Sequence, residues 1–283
     1  MCLCEYLSQP EHQTRFDSFV THKFGYGRWS APYWFVGPEE AGGGDCVELT
    51  RRIQAWRPIN GEPVNALEDL REYCGAIGIE QFHRILNPRS QPTWCALIKL
   101  LGNAQGTAPF WETEDRPGWV LGLQQNLLGR AGGEPSDHDI ALLDLSPLPS
   151  PNTDLWLWKC LFRANDPQRS HFADRPAFFN RVLPGDRTFA QRRVDELRKR
   201  IDKYKPPLVV LYGLQRGPFT AALNQWPRIP LPVVDPLPNG VLVYGFGPTT
   251  LLSMPHPASF RGSWDERAMT IRQCLRAARP ELL

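Results

Sequence analysis

The chain reads as an α/β protein: a three-layer α/β/α sandwich around a central four-stranded parallel sheet. Three observations predict this. Four short apolar runs each end in turn residues, as buried strands do. Patterns with helical spacing fall between them, the alternation that parallel crossovers require. The 283 residues suffice for one domain with a sizeable core, and no stretch reads as an interdomain linker.

The predicted strands cover residues 33–37, 140–145, 208–213 and 241–255, the last open to interruption at Gly245-Phe246-Gly247. Helices are expected over 46–56, 66–86, 93–101, 119–128, 188–205, 218–225 and 264–278. Asp45 and Thr188 stand where N-caps belong, because their side-chain oxygens can accept from the first free N–H groups of a helix. The segment 147–187 is the exception. It is rich in Pro, Trp, Phe and Arg and too long for an ordinary crossover, so it reads as a functional insertion within a single domain spanning 1–283.

A net charge of +2 excludes a global polycation, so any acidic partner must meet a local patch. Ten Trp and fourteen Phe predict an aromatic core or cleft. Seven scattered Cys form no disulfide framework and no secretory leader is seen, which predicts a reducing, cytoplasmic setting. Cys2 and Cys4, with Cys74 and Cys95 downstream, leave a metal or cluster conceivable, but the spacing is not that of a usual site and no metal or cofactor is assigned. No run is long enough to span a membrane. The mixed-sign run from Arg192 to Lys205 reads as a solvated helix face.

Chemistry concentrates at strand ends. The last strand runs into Ser253-Met254-Pro255-His256-Pro257-Ala258-Ser259-Phe260-Arg261, which places an imidazole on a loop stiffened by proline. The first ends in Gly37-Pro38-Glu39-Glu40-Ala41-Gly42-Gly43-Gly44, the second in Asp144-Leu145-Ser146-Pro147, the third in Gly213-Leu214-Gln215-Arg216. In an open α/β sheet that edge is where ligands bind. Plainer readings stand beside this one: a His-Pro turn, or a Gly-rich turn that holds a phosphate at a helix N-terminus.

In this order the motifs resemble the uracil-DNA glycosylase superfamily over roughly residues 30–275. That family has four parallel strands, a first motif of the form Gly-Gln-Asp-Pro-Tyr or Gly-x-Asn-Pro-Gly, and a last motif His-Pro-Ser. The resemblance implies a DNA N-glycosylase. Glu39 takes the place that positions or activates water, with Glu40 next to it, and His256 the place of the donor to the departing base. A carboxylate serves a cationic sugar and an attacking water alike, and the imidazole stabilises developing negative charge. Ser259 would contact phosphate, with Phe260 or Arg261 entering the gap left by the flipped base and Arg216 near the backbone. The alternatives are an acid at a helix N-terminus for Glu39 and a buried Phe260.

Two departures concern the base. Where uracil enzymes carry a tyrosine that blocks C5, this chain has Ala41, then Gly42, which opens space beside a C5 substituent or lets backbone approach a phosphate. The family's second strand ends in an Asn; here Asp144 stands, either as a turn cap or as an acceptor for the cytosine amino group. An Asp144 protonated through burial would also donate to N3. Gly37, Pro38, Glu40, Ala41 and Gly42 would line the base pocket with Asn152, Asp154 and Trp156 from the insertion; Trp158, Phe162 and Arg163 would add sugar contacts.

The resulting expectation is a monomeric, monofunctional glycosylase that flips a C5-modified cytosine, such as glucosylated 5-hydroxymethylcytosine of phage DNA, and leaves an abasic site in an antiviral role. No lysine stands in a motif, so no Schiff base is expected. Uracil repair and a non-catalytic nucleic-acid-binding module of the same fold remain open.

Overall fold

The computed structural model describes residues 6–39, 45–56, 75–78, 93, 96–97, 100, 140–149, 174–183, 185–227, 229–230 and 240–257. In chain order these form helix α1 (Pro10–His22), β1 (Gly25–Tyr26), β2 (Tyr33–Glu39), α2 (Cys46–Ala55), β3 (Ile140–Ser146), α3 (Arg175–Asn180), β4 (Val182–Leu183) and β5 (Arg187–Thr188). There follow α4 (Phe189–Tyr204), β6 (Leu208–Tyr212), α5 (Thr220–Leu223), β7 (Ile229–Pro230), β8 (Leu242–Phe246) and β9 (Thr249–Met254). Helical residues also stand at 75–77, 93, 96–97 and 100.

The main sheet has seven strands in the order β1-β3-β2-β6-β9-β8-β7, and β4-β5 form a separate pair. Strands β3, β2, β6 and β9 pair in parallel, while β1, β8 and β7 add antiparallel strands at the two flanks. The expectation of a four-stranded, wholly parallel sheet is therefore corrected: the sheet is larger and mixed. The region 241–255, expected as a strand open to interruption at Gly245-Phe246-Gly247, is a hairpin. The chain reverses at Gly247, whose φ of +56° suits glycine, so β8 and β9 lie side by side.

Strands β3 and β6 are buried along their whole length, as expected of strands covered on both faces. On one face Trp34, Val36, Leu143, Leu145, Val209 and Leu251 pack against Phe19 of α1, Ile53 of α2 and Val194 and Leu197 of α4. On the other, Phe35, Leu142, Val210 and Leu252 pack against Ile77, Leu97 and Leu100. Apolar area on this scale stabilises at roughly 25 cal/mol per Å² removed from water.

The predicted caps are present. Asp45 accepts from the N–H groups of Val47 and Glu48, both at 2.8 Å. Thr188 and Gln191 form a reciprocal capping box at the start of α4. The solvated-face reading of α4 needs correction at two positions: Arg193 and Arg200 are buried, whereas Arg192 and Lys199 are exposed. Within 147–187, Phe178 and Phe179 of α3 join the core, Phe178 tilted against Phe189 and Phe179 edge-on to Phe219. The predicted helices over 66–86, 93–101, 119–128 and 264–278 lie wholly or largely outside the described residues.

Candidate functional site

The C-terminal ends of β3, β2, β6 and β9 lie side by side and carry Asp144, Gly37, Pro38, Glu39, Arg216 and His256, all predicted from the sequence. Gly37 pairs with Asp144 across the β2–β3 ladder, and Glu39 pairs with Ser146 one step further along. Val36 pairs with Leu211, which puts Gly37 level with Tyr212; Tyr212 in turn pairs with Met254. Asp144, Gly37, Tyr212 and Met254 thus form one row across the sheet. Strand alternation puts that row on the face of Phe35, Leu142, Val210 and Leu252.

Two glycines make the row possible. A Cβ on Gly37 would lie 2.6 Å from the Tyr212 hydroxyl oxygen, 2.7 Å from Cζ and 3.0 Å from Cε2. The tyrosine ring therefore reaches over β2 towards Asp144 through space that any side chain at residue 37 would fill. Gly213 follows with φ +69°, and its missing Cβ would stand 3.3 Å from Cβ of His256 and 3.5 Å from Cδ of Pro38. The turn after β6 is thereby packed between the first and last motifs, and the Gly213 N–H donates to the Met254 carbonyl at 3.0 Å. The Tyr212 and His256 rings meet edge to face, with centroids 5.6 Å apart at 61°.

Sequence reasoning missed Tyr212. Its signal was weak: an apolar strand ending in Tyr-Gly shows nothing until the register sets that residue beside Gly37 and Asp144.

The electrostatics of this edge follow from burial. Asp144 is 9% exposed and Tyr212 8%. Burial raises the Tyr212 pKa, and the nearby Asp144 carboxylate raises it further, so the phenol keeps its proton. Burial lowers the pKa of His256, which favours neutral imidazole, able to donate through one ring nitrogen.

Behind the row, Arg193 holds the strand ends in place. Its Nε donates to the Leu145 carbonyl at 2.9 Å, one terminal nitrogen to Thr21 at 3.1 Å, and the other to Lys23 at 2.6 Å and Asp144 at 3.0 Å. The guanidinium lies 3.4 Å from the centroid of the Phe24 ring. Burial pulls its pKa down to about 9, partly offset by Asp144 and Glu196, so it stays a cation at neutral pH. Arg193 also lines a cavity of about 250 Å³ with His22, Arg181, Arg192, Glu196 and Arg200. Burial, then the charges of Arg193 and Arg200, lower the pKa of His22.

A pH dependence follows. His22 and His256 are both depressed from 6.5 in the folded protein, so below that value the unfolded chain binds protons that the folded one does not. Their contribution is complete above the ordinary histidine value and is lost as pH falls towards the depressed ones. The urea midpoint should drop between pH 7.5 and 5.5, and the drop should shrink in a His22→Asn, His256→Asn double variant. An equal drop in that variant would assign the acid sensitivity elsewhere.

Arg216 is exposed on the loop after β6, at the same sheet edge, and its neighbour Gln215 donates to the Gly240 carbonyl. The backbone of Glu39 is placed by β2. Glu40, Ala41, Gly42, Asn152, Asp154, Trp156, Ser259, Phe260 and Arg261 lie outside the described residues, as do Cys2, Cys4, Cys74 and Cys95. Among the described residues no group of His, Cys, Asp and Glu could hold a metal ion, and no helix is long and apolar enough to cross a membrane. Comparison of the chain with protein families, with curated proteins and with solved structures gives no match.

Proposed function

We propose that this protein is a monofunctional DNA glycosylase of uracil-DNA glycosylase-like α/β/α architecture, acting on a C5-modified cytosine. The observation that carries the reading is the convergence of Gly37-Pro38, Asp144 and the Pro255-His256-Pro257 turn on one edge. They come from strands far apart in sequence, and that edge is where open α/β sheets bind ligands. A fold-level likeness is analogy, so the weight rests on the polar groups gathered there.

In this reading the target nucleotide leaves the helix and its base is set against the ends of β3 and β9. Asp144 accepts from the exocyclic amino group of cytosine. Neutral His256 donates to the base carbonyl as the N-glycosidic bond breaks and electron density moves onto the base. Glu39 stabilises the cationic sugar and directs water to C1′, and Arg216 with the residues after His256 holds the phosphates. The product is an abasic site; with no lysine in the motifs, no covalent adduct forms. The protein works in the cytoplasm as a monomer, in defence against phages whose DNA carries bulky pyrimidines.

Incubation with phage DNAs bearing cytosine, 5-hydroxymethylcytosine, glucosylated 5-hydroxymethylcytosine or uracil, followed by an abasic-site assay, tests this. Abasic sites are expected only in DNA with modified cytosine, and Asp144→Asn should lose that activity. Release of uracil alone would make the protein a repair enzyme. DNA binding with no abasic product from any substrate would make it a binding module.

A further inference from the structure

We infer that the cavity bounded by the end of α1, the turn after α3 and one face of α4 is a binding site for a small phosphomonoester: Arg181, Arg192, Arg193 and Arg200 supply the charge, and Phe24 and Phe189 the seat for its organic part. The site is separate from the row at the strand ends, and the inference does not rest on the glycosylase reading.

The sequence of α4 builds most of it. Arg192 and Arg193 stand four and three residues before Glu196, and Arg200 four after it, so all four side chains leave the helix on one side. Arg181 reaches the same space from the end of α3, and His22 from the end of α1. The deeper guanidiniums are held in place. Arg193 is fixed by its four backbone carbonyls and by the Phe24 ring. Arg200 lies 4.9 Å from the centroid of the Trp29 ring, and its Nε stands 3.4 Å from a carboxylate oxygen of Glu196. Arg181 rests on two rings, 4.3 Å from the centroid of Phe178 and 4.6 Å from that of Phe189. Arg192 is exposed and forms the rim.

Charge decides what such a cavity takes. Among the described residues its lining holds four arginines and one carboxylate, that of Glu196, while Asp17 acts on Arg181 from nearby. The balance is positive at the His22 imidazole, where Arg193 and Arg200 each act more strongly than Glu196. Cations gathered in a partly enclosed space repel one another, and an anion bound among them offsets that repulsion. A guanidinium keeps its charge whatever hydrogen bonds it makes. The buried Arg193 and Arg200 therefore contribute field, and the less buried Arg181 and Arg192 contact the ligand.

The ligand's shape follows from the same features. The arginines come from two elements and approach from different directions. A phosphomonoester answers them with three acceptor oxygens and, at neutral pH, about two negative charges. A carboxylate has two oxygens and a single charge, and matches less of the lining. The cavity measures about 250 Å³, below the roughly 300–1,000 Å³ of drug-sized sites, so the organic part is no larger than one ring.

The test uses the full chain, with phenyl phosphate, inorganic phosphate and benzoate as probes, by calorimetry at pH 7.5 and constant ionic strength. Phenyl phosphate should bind saturably, about tenfold more tightly than benzoate, with inorganic phosphate between them. Arg192→Glu changes an exposed position, so the variant should unfold thermally as wild type does, and should bind phenyl phosphate about tenfold more weakly. Arg181→Gln should weaken it by about tenfold to a hundredfold. NMR places the ligand: on saturation the His22 ring signals should shift and the imidazole pKa should rise, because the dianion counters Arg193 and Arg200. Benzoate binding as tightly as phenyl phosphate, Arg192→Glu binding within about twofold of wild type, or His22 signals that stay still on saturation would each overturn the inference.

Discussion

Arg193→Met should lower the free energy of unfolding by about 4 kcal/mol, read from urea denaturation at pH 7.5. The guanidinium is 2% exposed and donates to four backbone carbonyls, those of Thr21, Lys23, Asp144 and Leu145. Methionine fills much of the same volume, so the loss reports the hydrogen bonds more than a cavity. Each carbonyl left dry and unpaired costs about 1–3 kcal/mol, and relaxation around the site keeps the sum below the arithmetic total. The neighbouring Arg192 is exposed, and Arg192→Met should stay within about 0.5 kcal/mol of wild type. A loss below about 1 kcal/mol for Arg193→Met would show that these carbonyls find other partners. Because Arg193 grips the Asp144 carbonyl, its replacement should also loosen the end of β3 and, in the glycosylase reading, reduce base release before the protein unfolds.

His256→Ala is the second large effect. In the glycosylase reading it should reduce base release about 10²–10³-fold, the usual consequence of losing one donor to a developing anion. DNA binding should stay within twofold, since the same reading assigns the phosphate contacts to other residues. Glu39→Ala should act on the same step by another route, through water and the cationic sugar. A His256→Ala enzyme with undiminished single-turnover base release would remove the imidazole from the chemistry, whatever the substrate proves to be.

The sheet was legible in the sequence where its strands are covered on both faces. Ile140–Ser146 is apolar apart from Asp144 and Ser146 at its end, and seven consecutive buried residues leave little other choice. The flanking strands carry two residues each at β1 and β7, too few for any periodicity to register. Helix α1 went unread because its sequence is mostly polar; only Phe16, Phe19 and Val20 are buried, although their spacing is helical. On α4 the apolar face itself contains Arg193 and Arg200, so a charge count pointed those residues outward. What put them inside is the supply of carbonyls from the end of α1, from Lys23 just after it and from β3, and the Trp29 face 4.9 Å from Arg200.

The candidate site was legible as residue types at strand ends, since Gly37, Pro38, Asp144 and His256 stand out through turn chemistry and polarity. Its inner wall was not. Tyr212 belongs to an apolar strand, and only the parallel register of β6 against β2 and β9 sets it level with Gly37 and Met254. Register is a property of pairs of strands, and a single strand's sequence does not contain it.

Among the described residues the sheet ends on one side in Ile229–Pro230, paired with β8. Proline has no amide hydrogen, and at the outermost position it interrupts the line of donors that a stray extended peptide would need for docking. Ile229 is 71% exposed and would otherwise invite such a visitor. Pro230 thus works against polymerisation at this margin through chain chemistry. Pro230→Val would restore the donor and should shorten the lag before heated samples turn turbid.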